Sequence, residues 1–330
     1  MTPDASPPTS GEAAPDRRRE ELVRAAHQSI RKGSASFRAA SRLFDRTTRE
    51  RVWLLYAWCR ACDDLADAQE HGGALGENLD PEAALATIRT LTELAFAGTW
   101  TGDPAFDALG LLAREVPLTQ AMAEDVIAGF ALDAAEWRPR SETDLLRYCY
   151  HVAGAVGVMM ATVMGVPAED EDTLDRACDL GIAFQLNNIV RDVLEDDAAD
   201  RRYLPVEWNV EEDVPPGEIT KPHYRGALVR VVGRACALAR GYEASARVGA
   251  ARLPFRQRWA ILAAANIYGA IGREVERRGA HAWDHRVRTT RRQKLRMVLS
   301  AAVEARRSGA AAAPTPALSR RELAAIARRA

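Results

Sequence analysis

The sequence predicts an all-α protein, and three observations support this prediction. Apolar residues recur at helical spacing over long stretches, from Ala227 to Ala246 and from Phe255 to Val275. Helix-start patterns precede other stretches, at residues 47–50 (TTRE) and 141–144 (SETD). No segment shows a convincing alternating pattern of a strand. We therefore expect helices packed around one core.

The first helix-start pattern predicts a helix through Trp53 and Arg60, and the second leads into an uncharged stretch from Tyr148 to Ala168. That stretch is long enough to span a bilayer. However, His151 and three glycines dilute its hydrophobicity, so a buried helix that lines an apolar cavity is the better interpretation. Pro167 should end it, and another helix should run from about Glu169 past Asp192.

The remaining segments divide the chain into three parts. Residues 1–16 are rich in Pro, Ala, Ser and Thr and are expected to be disordered, residues 17–305 form one domain, and residues 306–330 form a basic, Ala- and Pro-rich tail. The tail ends in a short capped helix and is expected to be solvated. Two loops stand out, 72–80 and the long polar segment 197–216, which is a candidate lid.

The net charge and the cysteines each argue against one class of protein. The net charge is −1, so the chain has no general basic field for nucleic acid. Five scattered cysteines, including the isolated pair Cys59 and Cys62, argue against a disulfide framework and for a reducing compartment. We expect a cytoplasmic protein.

The first group of chemical interest is a set of polar residues on the helix that follows residue 47. At about 100° per residue these side chains fall within an arc of roughly 60°. They are Tyr56, Arg60, Asp63 and Asp67, with Asp64 adjacent. Taken alone, this pattern is also typical of a solvated helix face with salt bridges.

A second polar set lies on the later helix, inside an otherwise apolar stretch. Its side chains share an arc of roughly 80°. They are Gln185, Asn188, Asp192 and Asp196. Because burying such groups without partners is costly, this set is harder to explain as a plain helix face.

Two carboxylate-bearing helix faces predict a metal–diphosphate site. Carboxylates on one face repel one another unless a cation lies between them. Oxygen ligands favour Mg²⁺, which also takes oxygens from a phosphate substrate. Arg60 and Arg191 stand beside the carboxylates and could bind phosphate oxygens bidentately. The apolar flanks of both motifs fit an apolar substrate with an anionic head.

Four segments carry a resemblance to a known family. They read YAWCRACDDLAD (56–67), LLRYCYHVAGAVGVMMATVMGV (145–166), RACDLGIAFQLNNIVRDVLEDDAADRRYLP (176–205) and AWDHRVRTTRRQKL (282–295). They resemble the squalene/phytoene synthase family, and within it the bacterial phytoene synthases. The resemblance covers roughly residues 29–298. It implies an isoprenoid-synthase-type helical bundle around a central apolar cavity.

The resemblance also implies a reaction and roles for residues. Two geranylgeranyl diphosphates would be joined head to head through a cyclopropylcarbinyl diphosphate to give phytoene, in carotenoid biosynthesis. Catalytic roles fall to Asp63, Asp64, Asp67, Asp192, Asp196, Arg60 and Arg191. Mg²⁺, with Mn²⁺ as a substitute, would be bound by Asp63, Asp67, Asn188, Asp192 and Asp196. The substrate would contact Ser34, Ser36, Tyr56, Arg60, Tyr148, Gln185, Arg191 and Tyr268.

Several alternatives stay open at this point. The protein could be a C30 synthase of the dehydrosqualene or squalene type that uses farnesyl diphosphate, or a non-catalytic scaffold. Chain elongation and terpene cyclisation are disfavoured, because the second motif reads NxxxDxxxD rather than DDxxD. The general base could be a phenol, a carboxylate or the released diphosphate. Expected partners are a membrane surface, contacted peripherally, and a downstream phytoene desaturase.

Small residues on the uncharged helix lead to one further expectation. Gly154, Ala155 and Gly157 would leave room for long prenyl chains, and close helix packing is the competing interpretation. In the first case, Gly157→Leu should lower turnover of geranylgeranyl diphosphate more than that of farnesyl diphosphate.

Overall fold

The computed structural model describes residues 13–33, 40–71, 81–307, 316 and 318–329. Within these ranges the chain forms thirteen α-helices and no strand, so the all-α prediction is confirmed. The helices are α1 (Ala13–Gly33), α2 (Arg46–His71), α3 (Pro81–Phe96), α4 (Pro104–Glu115), α5 (Gln120–Ala134), α6 (Glu142–Cys149), α7 (Ala155–Val163), α8 (Glu171–Ala198), α9 (Val206–Glu211), α10 (Arg225–Ala250), α11 (Phe255–Arg278), α12 (Arg291–Arg306) and α13 (Arg320–Arg329).

The uncharged stretch is a helix, but it is neither uniform nor ended by Pro167. A single π-helical turn, Tyr150–Gly154, joins α6 to α7. The helix stops at Gly165, whose φ of +92° places it in the left-handed region. Val166 N–H bonds to Ala161 O at 3.0 Å and Gly165 N–H to Thr162 O at 3.0 Å, which together form a Schellman motif.

The start of α2 differs from the sequence prediction. The helix begins at Arg46, because Asp45 accepts hydrogen bonds from Thr48 N at 3.0 Å and Thr48 Oγ1 at 2.7 Å. The predicted partner of the capping box, Glu50, instead pairs with Arg19 of α1 and Arg46. The second pattern is a true capping box, with Ser141 and Asp144 as its two members.

Helix α8 occupies the centre of the molecule. It packs against α6, α7, α10 and α11 and against the π-helical turn. One apolar cluster forms around α1–α5 and a second around α6, α8 and α10. Helix α8, which also carries the second polar set, contributes Ile182, Leu186 and Ile189 to the second cluster.

The predicted loop 197–216 and the C-terminal tail, which was expected to be solvated, both pack on the protein. Segment 197–216 contains α9, whose Trp208 is fully buried, and it also buries Tyr203 and Leu204. In the C-terminal tail, α13 buries Leu323, and Arg320 binds Asp175 of α8 at 2.7 Å. No helix in the described ranges is long and apolar enough to cross a membrane.

Candidate active site

The centre of the molecule holds two adjoining chambers of different character. An apolar cavity of about 380 Å³ lies between α2, α5, α7, α8, α10 and α11. A larger polar chamber of about 1080 Å³ lies beside it. Asp63, Gln185 and Asn188 line both. The two motifs predicted from the sequence therefore meet at the junction between an apolar and a charged space.

The apolar cavity follows α8 away from this junction. Its lining runs from Gln185 to Thr173, which corresponds to about 18 Å of helix at 1.5 Å per residue. Phe184 and Tyr268 stack along it with ring centroids 4.2 Å apart. An elongated apolar space of this kind suits a prenyl tail better than a compact ligand.

The first motif is divided between the chambers and the surface. Arg60 and Asp63 line the polar chamber, and Tyr56 is half-buried on the same helix. Burial raises the pKa of Tyr56, so its phenol stays protonated. Asp64 is exposed and forms an ion pair with Arg60, so it orients the guanidinium rather than lining a chamber. The side chain of Asp67 lies outside the described part of the structure.

The second motif places its central carboxylate between two arginines. Asp192 accepts a hydrogen bond from Arg191 Nε at 2.7 Å and two from Arg286, Nε at 3.0 Å and Nη2 at 2.9 Å. Burial alone would raise the pKa of Asp192, but the bonds from Arg191 and then Arg286 outweigh it and hold that pKa below its ordinary value. Asp192 is therefore fully ionised at neutral pH.

Asp196, one turn further along α8, has the opposite character. Burial, and then the negative charge of Asp192, raise the pKa of Asp196 to about 7. Two neighbouring carboxylates with pKa values pushed apart are typical of a site that stabilises a cation or a proton between them. The helix ends immediately afterwards, where Arg201 N–H bonds to Asp196 O at 2.8 Å.

The raised pKa of Asp196 predicts a pH effect on metal-free protein. In the folded state Asp196 holds its proton up to about pH 7, whereas an unfolded Asp loses it near pH 4. The stability that protonated Asp196 contributes is therefore lost as the pH rises from about 4 to about 7. With EDTA present, Asp196→Asn should therefore melt a few degrees higher than the wild type at pH 8 and at the same temperature at pH 4.

Thermal melts at both pH values test this effect, and Mg²⁺ at pH 8 supplies a second measurement. The cation should raise the melting temperature of the wild type more than that of Asp196→Asn. Glu93→Gln, which removes a carboxylate at an exposed position of α3, is the control and should follow the wild type. An equal difference between Asp196→Asn and wild type at pH 4 and pH 8 would contradict the assigned pKa.

A tyrosine pair forms one wall of the polar chamber. Tyr148 and Tyr203 stack with centroids 4.7 Å apart, and both hydroxyls donate to Asp133, at 3.2 and 3.3 Å. Burial raises the pKa of each phenol far above neutrality. These two phenols are therefore hydrogen-bond donors and poorly suited to act as a general base, which narrows the alternatives left by the sequence.

Gly154 and Gly157 of the uncharged helix lie against α8. A Cβ on Gly157 would lie 2.3 Å from Ala177 O, and one on Gly154 would lie 2.9 Å from Cys178 Sγ. On the α8 side, a Cβ on Gly181 would lie 2.1 Å from Ala153 O. Close helix packing, one of the two interpretations, is therefore confirmed for Gly154 and Gly157, whereas room for a prenyl chain stays a prediction for Gly157, which also lines the apolar cavity.

The site offers oxygen donors of the kind that Mg²⁺ prefers. Carboxylates from α2 and α8 and the amide of Asn188 surround one chamber. Among described side chains, however, no three acidic, His or Cys residues form a ready cluster. The donor set thus fits Mg²⁺ in kind, and both helices together with substrate oxygens are needed to complete it.

Several chamber residues were not assigned a role from the sequence. Asp133, Arg201, Tyr203 and Arg286 all lie at or beside the polar chamber. Arg286 belongs to segment 282–295, which carries the family resemblance, and that resemblance could have identified it as a site residue. Trp283 fixes that segment on α8 by donating to Val190 O at 2.9 Å. Ser34 and Ser36 lie outside the described residues.

The contact between Arg286 and Asp192 predicts a loss of activity in Arg286→Gln. Asp192 would lose two charge-assisted hydrogen bonds, and the chamber would lose one positive charge. We expect turnover to fall about tenfold or more. Arg277→Gln, on an exposed arginine of α11, is the matched control. Steady-state kinetics of both variants test this, and equal activities would contradict a role for Arg286.

Comparison with known proteins agrees with this geometry. The family model described as squalene/phytoene synthase matches residues 30–293. The chain belongs to the squalene/phytoene synthase family. It is 46% identical over 282 residues to a phytoene synthase of Pseudescherichia vulneris, covering 85% of this chain and 91% of that protein. It is 44% identical over 286 residues to a 15-cis-phytoene synthase of Pantoea ananas, covering 86% and 92%.

Solved structures of this family share the fold. A dehydrosqualene synthase in complex with a ligand superposes with a TM-score of 0.78 at 25% identity, covering 88% of this chain and 98% of that one. A squalene synthase from Alicyclobacillus acidocaldarius gives 0.69 at 22% identity, covering 80% and 96%. The squalene/phytoene synthase fold predicted from the sequence is therefore confirmed.

Proposed function

We propose that the protein is a Mg²⁺-dependent phytoene synthase that joins two geranylgeranyl diphosphates head to head and releases diphosphate. The observation that carries the proposal is the junction of the two chambers. Asp63, Gln185 and Asn188 stand where an elongated apolar cavity opens into a charged space. The relatives named phytoene synthase, at 44–46% identity over most of the chain, support the same activity.

The chain's own residues would divide the work between binding and charge stabilisation. Mg²⁺ held by Asp63, Asp67, Asn188, Asp192 and Asp196 would supply positive charge to the departing diphosphate. Arg60 and Arg191 line the polar chamber and would bind diphosphate oxygens. The apolar cavity would hold a prenyl tail and keep water from the allylic cation.

The geometry reduces the number of groups that could act as the general base in the proton-removal step. Tyr148 and Tyr203 keep their protons, so a carboxylate or the released diphosphate is the better base. Asp133 accepts both phenolic hydrogen bonds, which hold its carboxylate in the chamber. The tyrosine pair would then act by positioning this acid and closing the wall.

The second candidate function is a C30 synthase. The similarity to a dehydrosqualene synthase structure at a TM-score of 0.78 favours it. The same apolar cavity would accept a shorter tail. A peripheral membrane location is expected with either function, because the substrate tail and the product are hydrocarbons. Delivery of the product to a phytoene desaturase is expected only of the C20 function.

Product analysis distinguishes these functions. Geranylgeranyl and farnesyl diphosphate are offered separately with Mg²⁺, with and without NADPH, and hydrocarbon products and released diphosphate are measured. We expect phytoene from the C20 substrate at a higher kcat/KM than any C30 product. A preference for farnesyl diphosphate would favour the second candidate. Absence of diphosphate release with either substrate would overturn both and favour a scaffold.

A further inference from the structure

The exposed large apolar side chains of the described residues are concentrated on one part of the surface. Six such residues are more than a third exposed: Trp100, Val210, Phe255, Leu295, Leu299 and Val303. Leu295, Leu299 and Val303 are 60%, 56% and 52% exposed. Spaced four residues apart on α12, they fall within an arc of about 80°. We call these three residues the apolar stripe, and the surface of α12 that carries them the α12 face.

The opposite side of α12 holds the helix firmly on the protein. Ala301 and Ala305 are buried in a cluster with Leu262 and Ala263 of α11. Trp259 of α11 donates a hydrogen bond to Val298 O at 2.7 Å. The exposure of the α12 face is therefore a property of a packed helix. Isolated exposed apolar residues are ordinary, but an apolar stripe on a docked helix marks an interaction surface.

Phe255, at the start of α11, extends the same surface. Its ring is 39% exposed and lies under the guanidinium of Arg306, the last residue of α12, at 5.5 Å. The apolar stripe thus ends in an aromatic ring beside a cation. Aromatic residues and arginines of this kind are common where proteins meet the headgroup region of a bilayer.

The charge on α12 indicates what covers this surface. The helix contains five basic residues and one acidic residue, Glu304, which pairs with Arg247 of α10. Arg292 and Arg296 are exposed on the side of the apolar stripe. A second copy of the chain would bring like charges together, whereas an anionic lipid surface complements both the leucines and the arginines.

We propose that the α12 face docks the protein onto an anionic lipid bilayer, with the apolar stripe in the acyl boundary and the arginines at the phosphates. The neighbouring helix connects this surface to the interior, because Ile261 of α11 packs toward α12 and also lines the apolar cavity. The surface therefore lies one helix away from the space proposed for the prenyl tail. Docking itself does not depend on the proposed reaction.

Vesicle flotation of the full-length protein without substrate tests the proposal. Vesicles of phosphatidylcholine alone are compared with vesicles containing phosphatidylglycerol, at low and high salt. One variant replaces the stripe with Leu295→Asn, Leu299→Asn and Val303→Asn, and a second carries Arg292→Gln and Arg296→Gln. Val210→Asn on α9 and the pair Arg17→Gln and Arg24→Gln on α1 are matched controls, since all three positions are exposed.

We expect wild-type protein and the control variants to bind the anionic vesicles. The stripe variant should lose at least tenfold in partitioning at any salt concentration. The arginine variant should lose binding to anionic vesicles and show a weaker dependence on salt. Circular dichroism melts should be unchanged, because the replaced side chains are exposed.

Three results would overturn the assignment. Wild-type protein could fail to bind vesicles, the stripe variant could bind like the wild type, or sedimentation could show a wild-type dimer that the stripe variant abolishes. The last result would make a second copy of the chain the occupant. Because no step measures turnover, failure here leaves the proposed function untouched, and failure of the product assay leaves docking untouched.

Discussion

Asp192→Asn is expected to lower turnover of geranylgeranyl diphosphate by more than about a hundredfold while the protein stays folded. Asp192 is ionised and half-buried at the polar chamber, between Arg191 and Arg286. Asn keeps the shape of the side chain but removes the charge proposed to hold Mg²⁺, which would stabilise the departing diphosphate. Loss of one such electrostatic contribution typically costs about 10²–10³ in rate. Release of diphosphate at saturating Mg²⁺ is the direct measurement.

A control variant and a melting curve separate loss of the catalytic charge from loss of the fold. Asp172→Asn makes the same chemical change at the exposed first turn of the same helix and should leave turnover unchanged. A melting curve shows whether α8 is still packed. If Asp192→Asn turned over near the wild-type rate at saturating Mg²⁺, the assignment of the second motif to the metal would be wrong.

Features that depend on local sequence were predictable. Helical period alone placed Gln185, Asn188 and Asp192 on one face of α8, and the structure brings all three to the polar chamber. The capping box at Ser141 and the helices from residues 225 and 255 follow the same rule. Local hydrogen bonds and helical geometry decide such features, so a single sequence contains the necessary information.

Features that depend on distant contacts were not predictable. Asp133 stands in an unremarkable stretch of α5 and becomes part of the site only because Tyr148 and Tyr203 converge on it. Arg286 reaches Asp192 across 94 positions of the chain. Segment 197–216 was predicted to be a loop because its composition is polar, yet it contains α9, and Trp208 anchors it in the core. Pairings between remote residues leave no periodic pattern in the sequence.

The uncharged helix shows how a correctly predicted element can leave the role of its small residues open. Small residues at Gly154 and Gly157 were compatible with space for a ligand and with close helix packing. Only the direction of the missing Cβ separates these cases, and that direction depends on the partner helix. The π-helical turn at Tyr150–Gly154 rotates the helix further, and no periodicity argument anticipates it.

Gly157→Leu is therefore expected to destabilise the fold and to depress both activities, rather than to select against the longer substrate. The new Cβ would lie 2.3 Å from Ala177 O, which is backbone and cannot rotate away. Forcing α7 from α8 costs about 1–3 kcal/mol or more. Since α8 carries the second motif, the displacement would disturb the site for C20 and C15 substrates alike.

Gly157→Ala separates the packing effect from any effect of side-chain length. Because the Cβ alone meets the carbonyl, Gly157→Ala should already lower the melting temperature by several degrees. Gly233→Ala on α10 is the matched control: its Cβ would meet nothing within 4 Å, so the change should be neutral or stabilise the protein by about 0.5–1 kcal/mol. If Gly157→Ala melted like the wild type and Gly157→Leu reduced only geranylgeranyl diphosphate turnover, Gly157 would face the prenyl tail after all. Equal loss of both activities with a lowered melting temperature is the outcome that the contact with Ala177 requires.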